Sequence, residues 1–480
     1  MSEPAVRSLS PLGDESRIDV LDILRGFALV GIVFMNVEFF NRSSLELATF
    51  DRSLTGMDHA AGWLVRVFIE GKFYKLFAFM FGLGFTVMML RAREAGRPWR
   101  MLMTRRLGIL FVIGTLHSIL LWGGDILTSY AFAGFVLLGY LALFEKTPLR
   151  RFNRPGVHRN VGLTWLTLPF MIGSLFALYF GASMNSDEFQ AEWDREIEIA
   201  TEFYARLEAP APNEDLSDAE ESEQDPGETP YDELSEDEKL ERDIRDRVDD
   251  RRLRLADIEK EGQIMSSGTY AEAVGYWADR FVDQKIPGII GSALGMFVPL
   301  LLIGYWLIHS GMLARHRENG LFFKTLMYVG LIPGYWLNVA GLLLLLNPAS
   351  DISMKVWIVG TVLFNLGQFL LAAGFFGLIV VLSGTQWVGR GLKVLAPFGR
   401  MALTNYLMQT VIFVLIFHGY AGGLWGQIGR ADQMLLALVI VAGQVVFSMV
   451  WLKFFRFGPM EWLWRAGTYR ALPPLRRKTL

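Results

Sequence analysis

The chain has 480 residues, of which 52% are hydrophobic, and its formal net charge is only -3. A mean hydropathy of +0.32 with 36 Phe and 14 Trp excludes an ordinary soluble enzyme and describes a membrane protein with a soluble insert. The absence of cysteine removes disulfides, Cys-based metal sites and thiol nucleophiles, and six His without a His-x-x-x-His or His-Glu-x-x-His pattern argue against a metal; nothing points to a nucleic-acid partner.

In chain order, the first 17 residues are mixed charged and polar, and the apolar run that starts near Ile23 has no small-residue cleavage site behind it, so it is expected to stay as a helix. A bilayer core needs about 20 apolar residues per helix. Such runs occur near residues 22–40, 73–90, 105–122, 125–144, 161–182, 287–312, 322–346, 354–383, 395–418 and 433–455, which predicts an all-α polytopic bundle of ten membrane helices. The exits of the even-numbered spans are basic: Arg91, Arg93, Arg97, Arg100, Arg105 and Arg106 after the second, Lys146 to Arg159 after the fourth, and "LRRKTL" after the tenth. Positive charge marks the cytoplasmic side, so both termini are expected there and Trp122-Gly123-Gly124 is expected outside.

Residues 184–262 hold 29 Asp and Glu against 10 Lys and Arg, leaving 20 acidic against 36 basic residues elsewhere. The chain therefore reads as an N-terminal membrane block (1–183), an acidic extracytoplasmic insert (184–264) and a C-terminal membrane block (265–480). The centre of the insert is too charged to build a core and is expected to be disordered, whereas its flanks have helical charge patterning. Tyr270, Val274, Trp277 and Phe281 then recur at the spacing of an interfacial helix.

Several polar side chains share a depth. With a rise of about 1.5 Å per residue, Asn36 lies roughly 16 Å above Arg25, His117 roughly 16 Å above Arg106, and Gln409 roughly 13 Å above Arg400. Asn405 is one turn below Gln409 on the same face, and Asn365, Gln368 and Gln444 fall near the same layer. Amides of this kind either tie helices together or face a cavity. A titratable group is a stronger candidate, and His117 is the best general base on the chain, with a satisfied structural histidine as the alternative. Asp125, after two glycines, either caps the fourth helix or orients His117. Glu38 and Lys72 are expected to pair at the outer rim. His59 and His418 read as interface residues. The "FGLGF" at 81–85 lies inside a span, where glycine serves helix packing rather than phosphate binding.

The segments "RIDVLDILRGFALVGIVFMN", "KFYKLFAFMFGLG", "RRLGILFVIGTLHSILLWGGDILTSYA", "GRMALTNYLMQT" and "RFGPMEWLWRAGTY" together resemble the successive signatures of the YeiB-type bacterial inner-membrane proteins. That family is in turn similar to the transmembrane acyltransferases, which include the heparan-glucosaminide acetyltransferases and the acyltransferase-3 proteins. The resemblance implies a cytoplasmic acyl-CoA donor, a helical bundle in the bacterial inner membrane, and a glycan or lipid acceptor at the outer face. By position it points to His117 and Asp125 as the catalytic pair, with His59 as the rival base. Asn36, Glu38, Lys72, Trp122, Asn405 and Gln409 would contact substrate, and Arg25, Arg105, Arg106, Arg400 and Arg465 would hold the CoA phosphates. The residues themselves leave two other classes open: a transporter or flippase moving protons through Glu38, Lys72 and His117, and a non-catalytic membrane protein whose acidic insert binds an outside partner.

Overall fold

The computed structural model describes residues 19–43, 54–146, 148–182, 186–208, 233–347 and 353–477, with residues 230 and 350. Every named element among them is helical: α1 (Asp19–Asn41), α2 (Gly56–Leu64), α3 (Lys72–Glu94), α4 (Trp99–Leu120), α5 (Leu127–Lys146), α6 (Pro155–Ala182), α7 (Ser186–Glu208) and α8 (Glu236–Ser267). There follow α9 (Tyr270–Arg280), α10 (Ile286–Ser292), α11 (Val298–His309), α12 (Gly320–Leu345), α13 (Met354–Ser383), α14 (Trp387–Leu392), α15 (Leu395–Arg400), α16 (Ala402–Phe417), α17 (Arg430–Phe454) and α18 (Pro459–Tyr469).

Among the described residues, eight helical stretches are long and apolar enough to cross a membrane, and they include α2–α3 and α9–α11 as continuous runs of 39 and 40 residues. The other two expected spans are helical as well. One is α6, 28 residues with Pro169 inside it. The other, expected as a single span over 395–418, is broken at Met401 into α15 and the 16-residue α16. The break survives because the carboxylate of Glu461 on α18 accepts the backbone N–H groups of Leu403 (2.7 Å) and Thr404 (3.1 Å), satisfying amides that a new helix start leaves free. Within α9–α11 the chain twice widens into a π-helical turn, at Phe281–Lys285 and Ala293–Phe297.

Glycine sets the closest helix approaches. A Cβ on Gly26 would meet the Leu395 carbonyl oxygen at 2.3 Å and one on Gly399 the Asp22 carbonyl oxygen at 2.0 Å, so α1 and α15 touch backbone to backbone. On α12 and α13 the same device forms a hairpin: a Cβ on Gly330 would meet Gly374 Cα at 2.4 Å, and one on Gly367 the Asn338 nitrogen at 2.4 Å. In lipid, where apolar surface gains nothing by leaving tails for side chains, such close packing is the main cohesive term.

The insert contributes α7 and α8, which meet through Phe203, Ile244 and Val248. A capping box at Ser235 and Glu238 starts α8. The centre of the insert, expected to be disordered, lies outside the described residues over 209–229. The far end of α8 is part of the membrane block: Met265 is fully buried, and its carbonyl accepts the Gly419 N–H at 2.8 Å. The segment expected as an interfacial helix is helical and forms α9.

Candidate functional site

Two cavities are stacked along the helices. The first, about 200 Å³, is lined at its end by Arg25, Arg106, Arg400 and Arg465, with Glu461 as its one acidic side chain among the described residues; above them its wall is apolar, including Phe77, Met80, Phe81, Leu107 and Leu110. The second, about 590 Å³, is within the size range of small-molecule sites. Its lining mixes Asn36, Glu70, Asn365 and Gln368 with Glu261, Arg280, Lys285, Trp122 and Trp277. Along α1 the basic chamber takes Arg25, Leu29 and Ile32, and the mixed chamber continues with Ile32, Met35, Asn36 and Phe39. Ile32, Ile126 and Tyr406 line both chambers and are the divide between them.

Local sequence explains the basic chamber. The Gly26–Gly399 contact between α1 and α15 brings the adjacent Arg25 and Arg400 to one place. Arg25 lies 3.2 Å from Asp22 on its own helix. On α4 the Arg106 guanidinium stacks 3.4 Å over the Trp464 ring, while the Trp464 indole N–H donates to the Arg106 carbonyl at 2.8 Å, locking α18 to α4. Arg465 lies over Phe457. The Thr404 hydroxyl also donates to Glu461, at 2.5 Å, so this carboxylate is occupied as a cap. Burial pushes the Glu461 carboxyl above its ordinary range despite these donors. Arg105 faces away from the chamber, with its guanidinium against Met101.

At the divide, His117 Nδ1 lies 2.9 Å from Asp125 Oδ1, and Nε2 lies 2.9 Å from the Thr410 hydroxyl. Asp125 meets both expectations at once, because its second oxygen, Oδ2, accepts the Thr128 N–H (3.0 Å) and hydroxyl (3.1 Å) at the start of α5. With Asp125 ionised, Nδ1 carries the proton and Nε2 is an acceptor for Thr410. The Lys285 ammonium donates to the Asp125 carbonyl. Both members of the pair are almost fully buried, and His117 lines neither chamber; its ring packs 5.3 Å from that of Tyr406, which does. Asn36, one wall away, has no hydrogen-bond partner among the described residues and borders the mixed chamber with Trp122.

Other expected contacts are not formed. Glu38 does not pair with Lys72: it lies 3.7 Å from Arg42 and 3.6 Å from Arg430, while the Lys72 ammonium donates to the Arg66 carbonyl at 2.7 Å. Equal depth on two helices fixes height but not direction, and the two side chains turn to different neighbours. Asn405 and Gln409 line neither chamber. Asn405 donates to the Phe398 carbonyl and the Ser448 hydroxyl, and Gln409 to Gln444, which returns a bond to the Asn405 carbonyl, so these amides fasten α16 to α17. His59 is exposed and accepts the Trp63 indole N–H at 3.1 Å; His418 pairs with Tyr420. No group of metal-ligating side chains occurs among the described residues.

Sequence reasoning missed Thr410 and Glu261. Thr410 had a visible signal, lying beside Gln409 and one turn from Tyr406. Glu261 was hidden among 29 acidic residues, although the apolar "GQIM" after it marks where α8 leaves water.

A family described as "Protein of unknown function (DUF418)" matches residues 307–471. The chain is 30% identical over 479 residues to "Uncharacterized protein YxaH" of Bacillus subtilis (strain 168), covering 98% of this chain and 99% of that protein. It is 24% identical over 475 residues to "Uncharacterized protein YeiB" of Escherichia coli (strain K12), covering 96% and 98%. No solved structure matches.

Proposed function

From the chain's membership of the YeiB-type family, which its full-length similarity establishes, we propose a membrane acyltransferase that moves an acyl group from a cytoplasmic acyl-CoA to a hydroxyl or amine of an extracytoplasmic glycan or lipid. One observation carries this reading: a chamber ending in four arginines meets a chamber of mixed polarity at a divide three residues wide, with a histidine–carboxylate pair beside it.

The arginines suit phosphate oxygens, which they can bind by paired charge-assisted hydrogen bonds. The apolar shaft above them suits an acyl chain. The distribution of Arg and Lys in the loops supports a basic chamber that opens to the cytoplasm, with both termini on that side of the bacterial inner membrane. In the transfer step the acceptor oxygen forms a bond to the thioester carbonyl carbon and the C–S bond breaks. The acceptor proton passes through the Thr410 hydroxyl to His117 Nε2 and on to the departing thiolate. Asp125 holds the imidazole in the tautomer that can receive it and stabilises the imidazolium. Asn36, whose side chain has no hydrogen-bond partner among the described residues, is placed to donate to the developing oxyanion. Proton transport through Glu38, Lys72 and His117 finds less support, since Glu38 turns to Arg42 and Arg430 and Lys72 to the Arg66 carbonyl, which leaves the three without contact to one another.

The test is thioester cleavage by the purified protein in nanodiscs, comparing wild type with His117→Ala at equal folded yield. Acyl-CoA binding in both and turnover only in wild type is the expected result. If acyl-CoA fails to bind wild type, the reading is wrong and transport becomes the leading account.

A further inference from the structure

Glu261 belongs to the acidic insert but not to its solvated surface. It is 1% exposed and lies in the wall of the mixed chamber, carried there by the last turns of α8. Three donors hold it: the Ser43 hydroxyl at 2.7 Å, and from α9 the Tyr276 hydroxyl at 3.2 Å and the Arg280 guanidinium at 3.4 Å. All three reach the same oxygen, Oε2. The other oxygen, Oε1, has no hydrogen-bond partner among the described residues, yet it is not among the fully enclosed unsatisfied atoms. A buried carboxylate with one oxygen tied down and the other bare is costly unless something else uses the bare one.

We propose that Glu261 is the positioning carboxylate for the acceptor, accepting through Oε1 a hydrogen bond from a hydroxyl of a neutral, hydroxyl-bearing group. The class follows from the lining. Glu70 and Glu261 balance Arg280 and Lys285, so a cationic or an anionic group would meet as much repulsion as attraction. Trp122 and Trp277 add two broad apolar faces for the C–H surface of such a group. Gly123 and Gly124 make room for them: a Cβ on the first would meet the Trp277 ring at 2.3 Å and on the second the Trp122 ring at 2.1 Å. The insert thus completes the acceptor chamber rather than hanging outside it. This inference rests on the assignment of the mixed chamber to the acceptor.

The test uses the full chain in nanodiscs, titrated calorimetrically with methyl β-glucoside as a neutral probe, glucosamine as a cationic one and glucuronate as an anionic one, with acyl-CoA binding measured in the same samples. Glu261→Gln is the informative variant, because its carbonyl can take over the three donors while its NH2 group turns a donor toward the chamber. Wild type should prefer the neutral glycoside, Glu261→Gln should bind it at least about tenfold more weakly, and Ser43→Ala, which leaves the carboxylate in place with two of its three donors, should lose less than Glu261→Gln. Acyl-CoA binding should not change. The proposal is overturned if wild type binds no probe or prefers a charged one, if Glu261→Gln binds as wild type does, or if Ser43→Ala loses as much as Glu261→Gln. Glycoside binding that depends on Glu261 in a protein that binds no acyl-CoA would sink the transferase and leave this assignment standing.

Discussion

The two chambers differ in how their charges are balanced. The basic chamber gathers four guanidinium groups around one carboxylate that is already spent on capping α16, whereas the mixed chamber opposes two carboxylates with two cations and adds amides and indoles. A lining mostly of one sign attracts a ligand of the opposite charge, and a balanced one does not. On the proposed reading the difference suits two unlike ligands, an anionic donor and a neutral acceptor, with the reaction where the chambers meet.

The comparison can be broken most sharply at the divide. His117→Ala should lower thioester turnover by about 10²- to 10⁴-fold, the usual contribution of a general base, with acyl-CoA affinity unchanged; single-turnover kinetics separate the two. Next, Arg106→Ala should weaken acyl-CoA binding by about ten- to a hundredfold, the worth of charge-assisted hydrogen bonds, and flatten its salt dependence without altering glycoside titrations. An equal loss of both ligands would mean that the chambers are not independent.

A control at a residue that lines neither chamber comes third. Gly374→Leu forces a side chain into the α12–α13 contact and should cost about 1–3 kcal/mol or more of stability, read by thermal unfolding in detergent, while the folded fraction keeps both affinities. The smallest effect concerns pH. Burial raises the Glu261 carboxyl above its ordinary value of 4.5, working against Arg280, Ser43 and Tyr276 and with Asp257. Its stabilising contribution is therefore full below that ordinary value and is lost as pH rises through the folded one. Resistance of the α8 attachment to limited proteolysis, compared with Glu261→Gln, should improve on acidification in wild type only.

Much of this was legible because membrane helices are read from long apolar runs, and backbone hydrogen bonding in lipid leaves few alternatives. Each expected span is helical, yet the break at Met401 was invisible, since it depends on Glu461 arriving 60 residues later to cap α16. Arg25 and Arg400 share a chamber because each neighbours a glycine, a pairing readable only once α1 and α15 are seen to touch. The eight-residue separation of His117 and Asp125 around two glycines fixed their contact locally. Asn405 and Gln409 were placed on one face by periodicity, but periodicity does not say which helix that face meets. Glu38 likewise finds Arg430, almost the whole chain away, instead of Lys72.

The central claim, that an acyl chain passes from the basic chamber across the Tyr406 divide, is tested most directly by photo-crosslinking with an acyl-CoA carrying a diazirine near the thioester end of its acyl chain. The account predicts adducts on Tyr406, Ile32 or Ile126, abolished by excess unlabelled acyl-CoA and reduced by Arg106→Ala. Adducts confined to lipid-facing residues, unaffected by competitor, would contradict it.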